Sequence, residues 1–312
     1  MCLFFSSVHF TTLTMEARVI KATMDKDRSP ITMKELVSKF KSLGISGDKV
    51  IIVHSSLSSL GFVCGGATSV ILALLHALQI PMPDLQMLSP PLYRNQGTLV
   101  MPSFSSDYSN PKHWENPAVP NSWIDIIEKE WPPFHPAITP TRGIGQIPEL
   151  FRTFPGVLRS NHPTCSFTAI GNHAKHIVSD HPLNCELGME SPLGKVYSLN
   201  GYVLLIGVEN DVNTSLHLAE YIYHIKEKTF DDNTIEQRSP IMLHRCSRKN
   251  VSYDVLKVDT DQFEQIGKEF LEFCSMNHPE WYKETTIGLA HVSFIYQPAL
   301  VDFAVKRFAS SN

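Results

Sequence analysis

The sequence predicts a layered α/β/α protein on a mixed sheet, and three observations predict it. Short apolar runs alternate with helical patterns from residue 33 onward. The segment Gly201-Tyr202-Val203-Leu204-Leu205-Ile206-Gly207 reads as a fully buried strand. After residue 225 the alternation loosens, which favours a mixed sheet over a purely parallel one.

The elements follow in order. Met33, Leu36, Val37, Phe40 and Leu43 recur at helical spacing, with Thr32 placed to cap and Gly44 to stop the helix. Lys49 to His54 reads as a buried strand that runs into a Ser/Gly-rich loop ending at Gly65-Gly66. Ala67 to Leu78 is a largely apolar, well-buried helix. Four prolines (Pro81, Pro83, Pro90, Pro91) forbid a long helix in residues 79–96, which read as a loop or insertion. Thr98 to Pro102 forms a second strand. Residues 107–142, rich in Pro, Trp and Asn, predict a long surface excursion or lid. A short helix broken by Pro148 follows in 144–154, and Asn213 caps a helix over 214–225. Residues 226–260 look strand-rich, 261–275 helical, and 286–308 a strand with a terminal helix. The expected organisation is one domain over 31–312, preceded by a disordered or misassigned extension over 1–30.

Composition narrows the function. Of 312 residues, 43% are hydrophobic, enough for a large core. The net charge of −4 argues against nucleic acid as the main partner, because phosphate binding needs a basic face. No apolar run approaches the ~20 residues of a membrane span. The six cysteines form no CxxC pair, so reduced thiols in a cytosolic protein are the simplest expectation.

Several residues carry candidate chemistry. Pro163 pushes His162 out of the helical region, which places an imidazole on an extended or turn segment. Cys165 lies three residues on and is weighed as a nucleophile. The loop from His54 to Gly66 lies between a strand and a helix, a place where anions bind. It carries neither a Walker nor a Rossmann fingerprint. Arg142-Gly143-Ile144-Gly145-Gln146-Ile147 faintly echoes the pyrophosphate loop of the common GCN5-type N-acetyltransferases, but Ile147 breaks the pattern. His173, His176 and His181 lack a carboxylate at ligand spacing, so no metal site is expected.

Four strings in order resemble the aminoglycoside 3-N-acetyltransferase family. They are His54-Ser55-Ser56-Leu57-Ser58-Ser59-Leu60-Gly61 with Gly65-Gly66; Gly97 to Ser105; Ser160-Asn161-His162-Pro163 to Gly171; and Glu190-Ser191-Pro192-Leu193-Gly194 followed by Asn213 to Glu220. The resemblance implies a layered fold distinct from the GCN5 type. It also implies an acetyl-CoA-dependent acyltransferase that inactivates a cationic aminoglycoside antibiotic, without a metal. His54, Ser55, Ser56, Leu57, Gly61, Gly65, Gly66, Met101 and Phe104 are then expected on the coenzyme side.

Acetyl transfer to an amine needs a base and oxyanion donors. The expected roles are His162 as base, Glu190 as its orienting acid, and Thr214 as donor to the oxyanion or the sulfur. Helix capping is the alternative for Thr214. Asp107, His217 and Glu220 are expected to bind the substrate; His217 and Glu220 share a helix face, and solvent exposure would make them an ordinary polar pair. Rival functions are acetylation of another amine, coenzyme A binding without turnover, and metal-dependent hydrolysis.

Overall fold

A computed structural model describes residues 15–81, 96–114, 117–227, 234–244 and 247–310. In chain order the helices are α1 (Met15–Asp25), α2 (Met33–Ser42), α3 (Gly66–Ala77), α4 (Asn121–Glu130), α5 (Gln146–Phe151), α6 (Ala174–Val178), α7 (Pro192–Ser198), α8 (Ser215–Glu227), α9 (Phe263–Asn277) and α10 (Gln297–Ser310). The strands are β1 (Val50–Ser55), β2 (Thr98–Pro102), β3 (Leu158–Arg159), β4 (Phe167–Gly171), β5 (Tyr202–Ile206), β6 (Ile235–Arg238), β7 (Ile241–His244), β8 (Ser247–Asn250), β9 (Tyr253–Leu256), β10 (Tyr282–Ile287) and β11 (Ala290–Tyr296).

Seven strands form one sheet in the order β10-β11-β5-β1-β2-β4-β3. The three central strands are parallel, and both flanks are antiparallel. The sheet is therefore mixed, as expected. Period-2 alternation sorts its side chains into two cores. Ile51, Val53, Leu99, Met101, Leu204 and Ile206 pack under α2, α3 and α5. Val50, Ile52, Val100, Val203 and Leu205 pack under α6 to α10. The central strands are buried on both faces, which is why they read as continuous apolar runs.

Local chemistry sets the ends of the elements. Thr32 Oγ1 accepts from the Glu35 amide, and Gly44 leaves α2 with φ of 98°. Asn213 Oδ1 accepts from the Ser215 amide and so caps α8.

Three expectations change. Within residues 1–30, Met15–Asp25 is a helix held to the body, because Thr23 Oγ1 accepts from the Phe62 amide at 2.8 Å. Residues 1–14 and most of the Pro-rich segment (82–95) lie outside the described residues. The C-terminal strand is a hairpin, β10–β11, turning at Gly288 with φ of 57°.

The excursion over 107–142, finally, is docked in its described part. The Arg159 guanidinium pins it by donating to the carbonyls of Pro136, Thr139 and Ser103 and to Ser105 Oγ. Tyr108 and Phe134 form a small third core with Met242 of β7.

Candidate active site

The main cavity, about 940 Å³, opens at the carboxyl ends of β1, β2 and β5. Strand order reverses at β1: its crossover helix α3 packs on one face, while α8, after β5, packs on the other. Such a switch point leaves a crevice between diverging loops, where ligands of open α/β sheets bind.

Each wall comes from a segment that the fold delivers there. His54 and Ser55 end β1, and Ser56, Leu57 and Gly61 continue the loop. Gly65 and Gly66 start α3 with φ of 81° and 55°, and no side chain caps that helix. Pro102 and Phe104 leave β2, and Asp211, Thr214 and His217 follow β5. Gly143, Ile144, Gly145 and Gln146 close another side, and α1 adds Glu16 and Val19. A Cβ on Gly145 would lie 3.5 Å from the Ser55 carbonyl.

Two pairs at the cavity carry candidate chemistry, one of them reaching it through His217 alone. Nδ1 of His217 lies 2.7 Å from Glu220 Oε2, one turn along α8. The carboxylate accepts the Nδ1 proton, which leaves Nε2 as the basic nitrogen. The Phe263 ring packs on this imidazole, with centroids 4.7 Å apart. Burial pushes the Glu220 carboxyl up, and the bond from His217 opposes the shift. The second pair is Thr214 Oγ1 and His54 Nε2, 3.3 Å apart. Burial, then the charge of nearby His217, lowers His54 to about 3, so its ring is neutral at physiological pH. Because Asn213 supplies the cap of α8, Thr214 is not spent on capping.

His162 does not line this cavity; it is fully buried elsewhere. Its Nδ1 accepts the Cys165 amide at 3.1 Å, and its Nε2 donates to the Leu183 carbonyl at 3.2 Å. Both ring nitrogens are occupied by backbone groups, so no lone pair remains to take a proton. The His181 ring lies over it at 4.5 Å, Tyr253 of β9 meets its edge at 5.9 Å, and burial lowers it to about 4. The turn that Pro163 sets is covered by the 181–186 loop and β9, which sequence spacing does not reveal.

Glu190 is exposed and is not among the groups bonded to His162. The acid buried in that region is Glu186, which accepts from Thr164 Oγ1 at 2.7 Å and lies 3.8 Å from Arg238 Nε. Met101 faces the core, and Asp107 lies 3.8 Å from Arg142 rather than in the cavity wall. Glu220 is turned to His217 and lines a separate small cavity. Burial and Glu186 push the Cys165 thiol well up, against a nucleophilic role. Among the described residues no three His, Cys, Asp or Glu side chains group to hold a metal; His181 is engaged with Ser160 and the Glu186 carbonyl. Also among them, no helix is long and apolar enough to cross a membrane.

The remaining expected residues are cavity wall: His54, Ser55, Ser56, Leu57, Gly61, Gly65, Gly66, Phe104, Thr214 and His217. Sequence reasoning missed Glu16, Val19 and the Gly143–Gln146 loop. The paired glycines at 143 and 145, both with positive φ, were the available signal.

The sequence model for aminoglycoside 3-N-acetyltransferase matches residues 52–309, from β1 to the last helix. The chain belongs to that family. It is 37% identical over 294 residues to the SPbeta prophage-derived aminoglycoside N(3')-acetyltransferase-like protein YokD of Bacillus subtilis, covering 94% of this chain and 98% of that one. The YokD crystal structure superposes with a TM-score of 0.80 over 95% of this chain and 99% of YokD. Aminoglycoside N(3)-acetyltransferase III of Pseudomonas aeruginosa is 32% identical over 249 residues, 78% of this chain and 82% of that enzyme. AAC-IIIb, solved as a binary complex with CoASH, is 25% identical with a TM-score of 0.71, over 91% of this chain and 98% of that one. This family shares the mixed sheet described above, so the fold is not that of the GCN5 type. Of the four family-like strings, the first lines the cavity with every residue but Ser59 and Leu60. The second ends there at Pro102 and Phe104, and the fourth reaches it through Thr214 and His217.

Proposed function

We propose that this protein is an acetyl-CoA-dependent N-acetyltransferase of the cytoplasm, acting on the 3-amino group of 2-deoxystreptamine aminoglycosides. The observation that carries the reading is one cavity at the switch point lined by His217, with Glu220 bonded behind it, and by the Thr214–His54 pair.

The residues present fit a coenzyme A arm. The cavity falls in the ~300–1,000 Å³ range of ligand sites. Gly65 and Gly66 keep the mouth of α3 clear of side chains, and a Cβ at Gly66 would meet nothing within 4 Å. Ser55 Oγ is buried in the wall without a hydrogen-bond partner, an orphan that a polar ligand atom would satisfy. When bound, acetyl-CoA supplies an activated thioester carbonyl and a thiolate leaving group.

The chain's own residues do the rest. His217 Nε2 takes a proton from the amine nitrogen, and Glu220 orients the ring and stabilises its charged form. Thr214, held by a neutral His54, donates its hydroxyl proton to the carbonyl oxygen as that atom gains charge. The imidazolium then returns a proton to the departing sulfur.

A second reading keeps the reaction and changes the amine. Asp107 faces Arg142 and Glu220 faces His217, while Glu190 lies outside the cavity wall; Glu16 and Asp211 are the carboxylate residues of that wall. That charge distribution suits an amine with fewer ammonium groups than an aminoglycoside. Thiol release from acetyl-CoA, measured with a panel of 2-deoxystreptamine aminoglycosides and of simple amines, separates the two. Aminoglycoside saturation at micromolar levels supports the first; release with simple amines alone supports the second.

A further inference from the structure

One wall of the main cavity, made by Phe104 and the Gly143–Gln146 loop, hangs on a side chain that does not line the cavity. Arg159 lies half-buried on the edge strand β3. Its Nη2 donates to the Ser103 carbonyl at 2.6 Å and to Ser105 Oγ at 2.8 Å, on the two residues that flank Phe104. Its Nη1 donates to the carbonyls of Pro136 and Thr139, where the excursion returns. Its Nε donates to Ser166 Oγ at 2.9 Å, and that hydroxyl donates in turn to the Ser103 carbonyl. The departing and returning ends of the excursion are thereby joined at one cation.

The join needs a guanidinium. Every N–H of the fork is spent on an oxygen, and none of those oxygens belongs to a carboxylate. The Phe134 ring lies 5.1 Å from the guanidinium carbon, a contact that suits a planar cation. Burial lowers Arg159 to about 10, so it stays charged at neutral pH.

Two contacts carry the join into the cavity. The Phe104 carbonyl accepts from the Arg142 amide at 2.8 Å, which fixes the start of the Gly143–Gln146 loop. Gly145 then approaches the Ser55 carbonyl so closely that a Cβ would lie 3.5 Å from it. The Phe104 ring itself is braced by the Phe167 ring, edge to face at 5.4 Å.

We propose that Arg159 is a positioning residue for coenzyme binding: by joining Ser103 and Ser105 to Pro136 and Thr139, it holds Phe104 and the Gly143–Gln146 loop against the coenzyme arm. The assignment rests on the acetyltransferase reading of the main cavity. Arg159 does not line that cavity, so it governs affinity for the coenzyme and not the rate of the bound complex. A lysine ammonium keeps the charge but presents its donors from a single point, and it cannot span oxygens on both ends of the excursion.

Arg159→Ala and Arg159→Lys are compared with the parent, each checked for folding by circular dichroism. Coenzyme A binding is read by calorimetry, and KM and kcat are read from thiol release. The expected result in both variants is a loss of coenzyme A affinity and a rise in acetyl-CoA KM of ~10-fold or more, with kcat at saturation and amine KM within about twofold of the parent. Ethylguanidinium, the group that Arg159→Ala deletes, is expected to restore coenzyme A binding to that variant in a saturable way, whereas tetramethylammonium is not. Ser105→Ala removes one acceptor beside Phe104 and carries the same reading should Arg159→Ala fail to fold. A residue that serves stability alone would lower the thermal midpoint and leave coenzyme affinity in place. Unchanged coenzyme A affinity in the folded variants, a loss confined to kcat, or affinity fully kept by Arg159→Lys overturns the assignment. Parent protein that binds no coenzyme A refutes the reading of the cavity instead. Parent protein that binds it and turns over no amine refutes the proposed reaction, and calorimetry on the variants still judges Arg159.

Discussion

His217 Nδ1 and Glu220 Oε2 lie 2.7 Å apart on successive turns of α8, with the imidazole in the wall of the main cavity and the carboxylate behind it. An i,i+3 pair on a helix surface is worth a few tenths of a kcal/mol. Half-buried beside a cavity, the same pair sets the tautomer of the ring proposed as the base. His217→Ala is expected to lower kcat by ~10²–10⁴-fold, and Glu220→Gln by less, while binding of coenzyme A, measured by calorimetry, stays close to the parent value. Equal activity in His217→Ala would remove the pair from the chemistry.

Thr214 carries a separable contribution. Thr214→Val keeps the shape and deletes the hydroxyl that faces His54. Loss of one oxyanion donor is worth ~10²–10³-fold in kcat, with little change in KM for the amine. Thr214→Ser restores the hydroxyl and is expected to restore most of the rate, an outcome that simple steadying of the helix start would not produce.

On the proposed reading His162 serves stability. His162→Ala leaves the Cys165 amide buried without its acceptor and opens a cavity beside His181. The expected cost is ~1–3 kcal/mol for the unmade bond, read as a lower thermal midpoint, with kcat of the folded variant near that of the parent.

Buried neutral histidines also set the acid response. His54 and His162 are lowered to about 3 and about 4, and His181 is lowered well below its usual value by burial and by His162. In the unfolded chain each titrates near ~6.5. Between those values the unfolded state binds more protons, so stability falls as pH drops below ~6.5, at up to ~1.4 kcal/mol per pH unit for each ring. Glu186 and Glu220, both raised by burial, act oppositely and gain stability on protonation in the folded state. Three rings against two carboxyls predict net destabilisation between pH 6 and 5, well above the range in which ordinary carboxylates titrate. Denaturant midpoints that stay flat over that range would refute the assignment of buried neutral rings.

Gly65→Ala tests the coenzyme wall. Gly65 sits at φ of 81°, and an added Cβ would come 2.4 Å from Ser69 Oγ. Left-handed backbone costs a side chain ~1–2 kcal/mol, and the start of α3 must shift. The expected readout is a raised KM for acetyl-CoA with the amine KM little changed.

The layered fold was legible because its central strands are apolar on both faces and its caps follow local rules, as at Thr32, Gly44 and Asn213. The cavity loop after β1 was legible for the same reason: strand, Ser/Gly turn and helix are contiguous in sequence. The base was not. His162 and His217 are both histidines beside turn or helix signals, and what separates them is tertiary. One ring is covered by β9 and spends both nitrogens on backbone; the other keeps one nitrogen for the cavity. The pairing of His217 with Glu220 followed from helical spacing, but its direction relative to the cavity did not. The Gly143–Gln146 loop reads in sequence as a weak echo of another fold, whereas its glycines turn the chain into the cavity wall with positive φ. The Arg159 clamp joins residues more than fifty apart in sequence, a relationship no local pattern encodes.

The decisive measurement is aminoglycoside-dependent thiol release from acetyl-CoA by the parent protein, His217→Ala and His162→Ala, each checked for folding by circular dichroism. The account predicts that release collapses by at least ~10²-fold in His217→Ala and survives in folded His162→Ala. Collapse in His162→Ala with full activity in His217→Ala would contradict it.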